Sequence, residues 1–400
     1  MRTIYHNIGS LQTMNESTLL SMGKSIIVNN GVIEKIVDSI KEFESSDTEF
    51  IDVGGRAVIP GLIDCHNHLI WSGDRFNEHN LRMQGKSYAE IAEMGGGIMN
   101  TVGATRKAST EQLYALGRAR LQRALQNGTT FVEAKSGYGL STEDELRLLK
   151  IVSELKNEKL LPSIHSTWMG AHAITPEHTY ASYTEEILSD QLPNVLDTNL
   201  AESADVFCEP GWFTTEQSED ILRSARQGGL DLRMHVDEFQ DGGGGELAAE
   251  LRVRTADHAH HTPMDTRSKM MEADVITGFL PGTPYCNGDD WPDIPSVQEK
   301  KIPYTLATDF NPNCYINSLP FIGSLAVQRI GITPYDALYS MTRQAAKSVP
   351  RTDGLEHGII KEGAVANFNI LSSKHWESWC MTPSSSPIHS VCLEGQNIEF

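Results

Sequence analysis

His66 and His68 lie two apart in Asp64-Cys65-His66-Asn67-His68, at the end of the apolar run Val58-Ile59-Pro60-Gly61-Leu62-Ile63. Alternate side chains of a strand share a face, so both imidazoles can reach one ion from one side. In a chain with 14 histidines such a pair is a weak signal by itself. His235, His258 and Asp309 add to it, because each falls near the end of another strand-like segment, before Gly-rich or polar residues. Nitrogen and oxygen donors without a cysteine pair suit a catalytic divalent ion such as Zn2+ or Fe2+ better than a structural zinc. An ion of this kind brings the pKa of bound water to about 7, which is hydrolytic chemistry. That chemistry needs a proton carrier, and Glu238, three residues beyond His235, is a candidate. By position alone Glu238 and Asp237 both read equally as solvated loop carboxylates. His260 and His261 adjoin His258, and the residues alone do not choose among the three.

These groups need a scaffold that brings distant segments to one place. Eight strand candidates lie near 61–68, 129–134, 162–168, 204–209, 231–236, 254–258, 274–280 and 303–309, separated by helical or long loop segments. Ser109-Thr110-Glu111-Gln112 fits a capping box, followed by leucines 113, 116, 121 and 125 and closed by Asn127-Gly128. Thr142 to Leu155 reads as a second capped helix. Thr214-Thr215-Glu216-Gln217 opens another, which ends at Gly228-Gly229, and Thr333-Pro334 opens a late one. This alternation predicts an α/β fold with a (β/α)8 TIM-like barrel, in which functional residues gather at the carboxyl ends of the strands. A doubly wound sheet is the rival, but no G-x-G-x-x-G follows the first strand.

The ends of the chain have a different pattern. Ser25-Ile26-Ile27-Val28 and Val32-Ile33-Glu34-Lys35-Ile36-Val37 flank an Asn-Gly turn, which is a hairpin signal. Gly358 to Leu371 alternates and carries turn glycines. The two ends are read as one small β-sandwich, formed by 1–57 with 353–400, into which a barrel at 58–352 is inserted.

Composition sets limits on partners. With 33 basic and 53 acidic residues the 400-residue chain carries a net charge of −20, which argues against nucleic-acid or membrane-surface partners. An anionic small molecule would need a local cation instead. The six cysteines are scattered without a C-x-x-C pair and are expected to be reduced thiols. No run is long enough to span a membrane and the first residues lack the apolar core of a signal peptide, so a cytoplasmic enzyme is expected.

Pro60 to His68 resembles the opening signature of the amidohydrolase superfamily, and Gly358 to Leu371 its closing β-sandwich signature. Within it, the chain is similar to the imidazolonepropionase family. The stretches are Gly73-Asp74-Arg75, Leu81 to Gly85, Gly95 to Ile98 through Thr105-Arg106, Lys135-Ser136-Gly137-Tyr138-Gly139-Leu140, Gly170 to Ala173, His235 to Phe239, Ala256-Asp257-His258 and Ala307 to Pro312. The resemblance runs from about 50 to 371. It implies His66, His68, His235 and Asp309 as metal ligands, with Asp309 also in the catalytic set. It further implies Glu238 as proton shuttle and His258 as the group that orients water or polarises the carbonyl. Arg75, Tyr138, His172 and Asn311 would bind substrate, and Asn313 and Cys314 fall in the same substrate loop. The implied reaction is hydrolysis of 4-imidazolone-5-propanoate to N-formimidoyl-L-glutamate, with Arg75 holding the propanoate and a homodimer as the assembly. Lys135 is read as structural rather than as a carboxylated bridge between two metals.

The chain departs from the family pattern at Asn313 and Cys314, where glycine and a small hydroxyl residue are usual, in 283–293, and at Asn367 in place of aspartate. Two alternatives stay open: an aminohydrolase of another nitrogen heterocycle, and a catalytically silent metal-binding homologue.

Overall fold

The structure, a computed structural model, describes residues 2–15, 20–43, 48–86, 90–91 and 94–400. Its centre is an eight-stranded parallel sheet whose strands neighbour one another in chain order. They are β1 (Leu62–Asn67), β2 (Thr129–Lys135), β3 (Ser163–Ala171), β4 (Ser203–Cys208), β5 (Asp231–Val236), β6 (Thr255–His258), β7 (Ile276–Phe279) and β8 (Tyr304–Leu306). The last strand closes on the first: the Asp309 N–H donates to the His66 carbonyl at 3.1 Å, and the His68 N–H to the Phe310 carbonyl at 3.0 Å. The sheet is therefore a closed barrel. The predicted strands agree with the observed ones to within a few residues, because each apolar run ends abruptly in the polar residues of the rim.

The predicted helix starts hold for physical reasons visible at each cap. Ser109 and Gln112 form a reciprocal capping box at the head of Thr110–Gln126, and Thr214 with Gln217 does the same for Thr215–Gln227. Ser141 caps Thr142–Lys156 and Thr333 caps Pro334–Ser340. These helices bury an apolar stripe against the outside of the barrel, as Leu148, Leu149, Ile151, Val152 and Leu155 do on Thr142–Lys156.

The chain ends build two further sheets. One has four strands in the order Val32–Val37, Ser25–Asn29, Arg2–His6, Thr48–Asp52. Its hairpin turns at Asn30 and Gly31, both at positive φ (50° and 79°), as a type I′ turn requires. The other has six strands in the order Gln396–Glu399, Ile388–Leu393, Phe368–Leu371, Val58–Pro60, Ser10–Gln12, Leu20–Met22. Tyr5, Ile26, Val28 and Ile33 from the first sheet pack with Val58, Phe368, Ile370 and Cys392 from the second. The sandwich is thus made of both chain ends, and the strand Val58–Pro60 leads directly from it into β1. Among the described residues no helix is long and apolar enough to cross a membrane. All six cysteines are free.

Candidate active site

β1 carries His66 and β5 carries His235, and the chain beyond β1 and β8 adds His68 and Asp309. Their side chains meet at one rim of the barrel. His68 Nε2 and His235 Nε2 are 3.3 Å apart, and Asp309 Oδ1 is 3.6 Å from both His66 Nε2 and His68 Nε2. Ligand atoms of His66, His68 and His235 lie within 4.8 Å of one another, and so do those of His66, His258 and Asp309. All five residues are buried.

The carboxylates behind the imidazoles fix their orientation. His66 Nδ1 is 2.8 Å from Asp257 Oδ2, and His235 Nδ1 is 2.9 Å from Asp205 Oδ1. In each case the Nδ1–H donates to the carboxylate, which leaves the Nε2 lone pair facing the cluster. Burial holds His66, His68 and His258 well below the usual imidazole range, with the cationic form of neighbouring groups adding to it. They are neutral and available as donors. His66 Nε2 is buried without a hydrogen-bond partner. An orphaned, neutral nitrogen facing a carboxylate oxygen and two further imidazoles fits a divalent cation, and the donor set fits zinc or ferrous iron alike.

Beneath the cluster, Lys135 Nζ sits 2.9 Å from Glu133 Oε1 and 2.7 Å from Asp205 Oδ2. Burial alone would raise the Asp205 carboxyl, but its contacts with His235 and Lys135 outweigh it and hold it far below the carboxylate range. Burial pushes Asp257 up to about 6, partly offset by Lys135. Lys135 is therefore a paired cation in the barrel floor, as its structural reading requires.

Glu238 follows β5 on a segment held from β4. Glu209 accepts hydrogen bonds from the N–H groups of Glu238, Phe239 and Gln240 at 2.9, 3.1 and 3.1 Å. Glu238 Oε2 lies 3.5 Å from His258 Nε2. Burial raises the Glu238 carboxyl well above its usual range, and Asp309 nearby adds to this. Asp237, its rival by position, is spent on structure: it accepts from the Gly242, Gly244 and Gly245 N–H groups and from the Thr262 hydroxyl. His258 and Asp309 adopt positive φ (62° and 49°), a conformation that β-branched or bulky residues rarely take and that often marks functional positions. His260 and His261 line an adjoining cavity that Glu238 and His258 share, and of the three histidines only His258 falls in a donor cluster.

A cavity of about 70 Å³ lies over the cluster. Arg75, Tyr138, His172, Asn311 and Asn313 line it together with His68, His235, Glu238, His258 and Asp309. The His172 ring stacks on His68 (5.1 Å, 19°), and its Nδ1–H donates to the Gly137 carbonyl at 2.9 Å. A Cβ at Gly137, where φ is +101°, would lie 2.8 Å from that Nδ1, so glycine is required there. Burial, with His235 nearby, brings His172 down to about 3. Glu145 holds the Tyr138 loop by accepting from the Gly137, Gly139 and Leu140 N–H groups. Arg75 is clasped by Glu78, with Nε at 2.8 Å and Nη2 at 2.7 Å.

The structure brings together every expected site residue except the Cys314 thiol. That thiol is buried behind the cavity wall, and Cys314 reaches the site loop through its backbone: its N–H donates to Asn311 Oδ1 at 2.9 Å and its carbonyl accepts from the Asn311 N–H at 3.1 Å. The Asn313 side chain is bonded to Arg82 and to Asn287 (3.0 Å).

Comparison with known proteins identifies the family and the fold. A profile of the amidohydrolase family matches residues 89–377. An imidazolonepropionase of Shewanella sediminis is 37% identical over 89% of this chain and 86% of its own length. That of Haloarcula marismortui is 39% identical over 81% and 76%, and that of Clostridium tetani 37% over 92% and 88%. The chain belongs to the imidazolonepropionase branch of the amidohydrolase family. Two solved structures share the fold at low identity. A Xaa-Pro dipeptidase has a TM-score of 0.72 at 16% identity over 100% of both chains. An atrazine chlorohydrolase from Arthrobacter aurescens has 0.72 at 16%, covering 99% of this chain and 95% of its own. As an amidohydrolase, the protein is a metal-dependent hydrolase of C–N bonds.

Sequence reasoning missed the groups that support this amidohydrolase site: Glu78, Glu133, Glu145, Asp205, Glu209, Asp257 and Thr283. Thr283 donates to Asp309 Oδ2. Asp205 and Asp257 were detectable in principle, since a charge within an apolar strand segment is seldom buried without a partner.

Proposed function

We propose that this protein is an imidazolonepropionase, which adds water across the ring C(O)–N bond of 4-imidazolone-5-propanoate to give N-formimidoyl-L-glutamate. One observation carries the reading: Arg75 lines the same cavity as the His68, His235 and Asp309 donors and the Glu238–His258 pair. Such a cavity suits a ring that must be opened and a carboxylate tail that must be held.

His66, His68, His235 and Asp309 would hold one divalent ion, Zn2+ or Fe2+. When bound, the ion supplies Lewis acidity toward the ring carbonyl and toward water. Glu238 takes a proton from the attacking water and delivers it to the ring nitrogen as the C–N bond breaks. His258, kept neutral by burial, offers a hydrogen bond where negative charge builds on the carbonyl oxygen. Arg75 binds the propanoate and Tyr138 and His172 wall the ring. Asn311 and Asn313 border the cavity beside them, and Cys314 acts through its backbone N–H. Arg75 is also the cation that a chain of net charge −20 needs to retain an anion. The same reading carries a homodimer in the cytoplasm without nucleic-acid partners, and a chain divided into a frame of 1–57 with 353–400 and a catalytic barrel of 58–352.

The test is hydrolysis of 4-imidazolone-5-propanoate with metal content measured on the same sample, before and after chelation. Turnover is expected to vanish on chelation and to return with Zn2+ or Fe2+. A metal-loaded protein that opens a neutral ring heterocycle and leaves the propanoate compound intact overturns the substrate. Undiminished turnover of metal-free protein overturns the metal's role.

A further inference from the structure

Two thiols at the edge of the cavity take no part in the steps above. Cys286 lies on the short helix Gly282–Asn287, half-buried, and lines an outer groove with Arg82, Tyr285 and Asn313. Cys314 is fully buried. The Cys314 thiol donates to the Thr308 carbonyl at 3.8 Å. A Cβ built on Gly282 would be 2.9 Å from Cys314 Sγ. Gly282 and Cys286 are four apart and share a helix face, so the Cys314 sulfur sits against the face that presents Cys286.

Both segments lead to the catalytic carboxylate. Thr283, on the Cys286 helix, donates to Asp309 Oδ2. On the other side, the Asn313 and Cys314 N–H groups donate to Asn311 Oδ1, and Asn311 Nδ2 donates to the Asp309 carbonyl at 2.8 Å. We propose that Cys286 and Cys314 form a redox-active dithiol, oxidised to a disulfide by a hydroperoxide that enters from the outer groove, and that this bond distorts the substrate wall.

The chemistry is self-consistent. The neighbouring Cys314 thiol holds Cys286 below its usual range, against the opposing effect of burial, and Cys286 together with burial raises Cys314. Cys286, the accessible and more acidic partner, is the attacking sulfur. Its thiolate attacks a peroxide oxygen, the O–O bond breaks, and the departing hydroxide takes a proton to become water. Cys314 then attacks the Cys286 sulfenic sulfur, the S–O bond breaks and a second water leaves. Two thiols and one hydrogen peroxide yield one disulfide and two waters; each sulfur loses one electron and the peroxide gains two. A disulfide of about 2.05 Å is much shorter than any non-bonded sulfur contact, so closing it pulls on the Gly282–Asn287 helix and on the segment that carries Cys314. Misplacement of a substrate-positioning group by about 1 Å can cost roughly a hundredfold in rate.

The experiment treats the full-length, zinc-loaded protein with hydrogen peroxide and follows two readouts. Peptide mapping should show a Cys286–Cys314 linkage, with the other four cysteines still alkylatable. Hydrolysis should show kcat/KM falling by roughly tenfold or more, through KM first, with recovery on dithiothreitol. Cys286→Ser should keep the untreated activity and lose the peroxide sensitivity. The proposal is overturned if no linkage forms while other cysteines oxidise, if the linked protein keeps its kcat/KM, or if Cys286→Ser is inactivated to the same degree. The mass readout is independent of substrate identity, so failure here is distinguishable from failure of the proposed function.

Discussion

At the scale of the residue, the site divides into groups that hold and groups that move a proton. Glu238 belongs to the second kind, since its carboxylate pairs with His258 at 3.5 Å and is absent from the clustered donors. Glu238→Gln is therefore expected to lower kcat by about 10²- to 10⁴-fold while metal content stays at the wild-type level. Steady-state rates and metal analysis on one preparation check both halves, and metal loss in the variant would move Glu238 into the ligand set. Arg75 makes the opposite kind of contribution. Arg75→Met should raise KM for the propanoate substrate by roughly 10- to 100-fold, the range for a hydrogen bond to a charged group, with kcat little changed. Glu78 keeps Arg82 at 3.8 Å, so the substitution does not strand a buried carboxylate. An unaltered KM would remove Arg75 from substrate recognition.

At the scale of the element, several barrel strands carry a ligand or its support to the same rim. β1 brings His66 while β6 brings Asp257 to orient it, and β5 brings His235 while β4 brings Asp205. The β4–β5 pair does this between adjacent strands, and the β1–β6 pair does it across the barrel. Asp257→Asn keeps the shape and removes the charge behind His66. It is expected to weaken metal binding by about 10- to 100-fold, measured by competition with a chelator, while circular dichroism stays native. Unchanged competition would show that orientation alone, without charge, suffices. The barrel was legible in the sequence because its strands are short apolar runs ending in chemistry-bearing residues. Supporting acids outside the strands, such as Glu78, Glu145 and Glu209, were not, because among 53 acidic residues nothing local distinguishes a buried loop or helix carboxylate from a solvated one. The Cys314 thiol shows the same limit: its backbone reaches the site loop, and only coordinates tell which way the sulfur turns.

At the scale of the whole molecule, the barrel must be joined to the sheets built by the chain ends, and His357 sits where the chain returns from one to the other. Its Nε2–H donates to the Val349 carbonyl at 2.9 Å, and its ring meets Phe131 of β2 edge-on at 4.7 Å. Burial, with Arg351 nearby, lowers it to about 4. In the unfolded chain a histidine titrates near 6.5. Between those values the unfolded chain holds the proton and the folded one does not, so protonation favours unfolding. The contribution is complete above about pH 6.5 and is lost as pH falls toward 4, to a total of about 3 kcal/mol. His357→Gln keeps a donor for Val349 and removes the titration. The stability gap between wild type and variant should therefore narrow by up to about 3 kcal/mol from pH 7 to pH 4, in urea unfolding of metal-free samples. Using metal-free protein keeps proton-driven metal release from His66, His68 and His235 out of the comparison. A gap that stays constant with pH would mean that the buried crossing takes up the proton without cost, and that acid lability arises at the barrel rim instead.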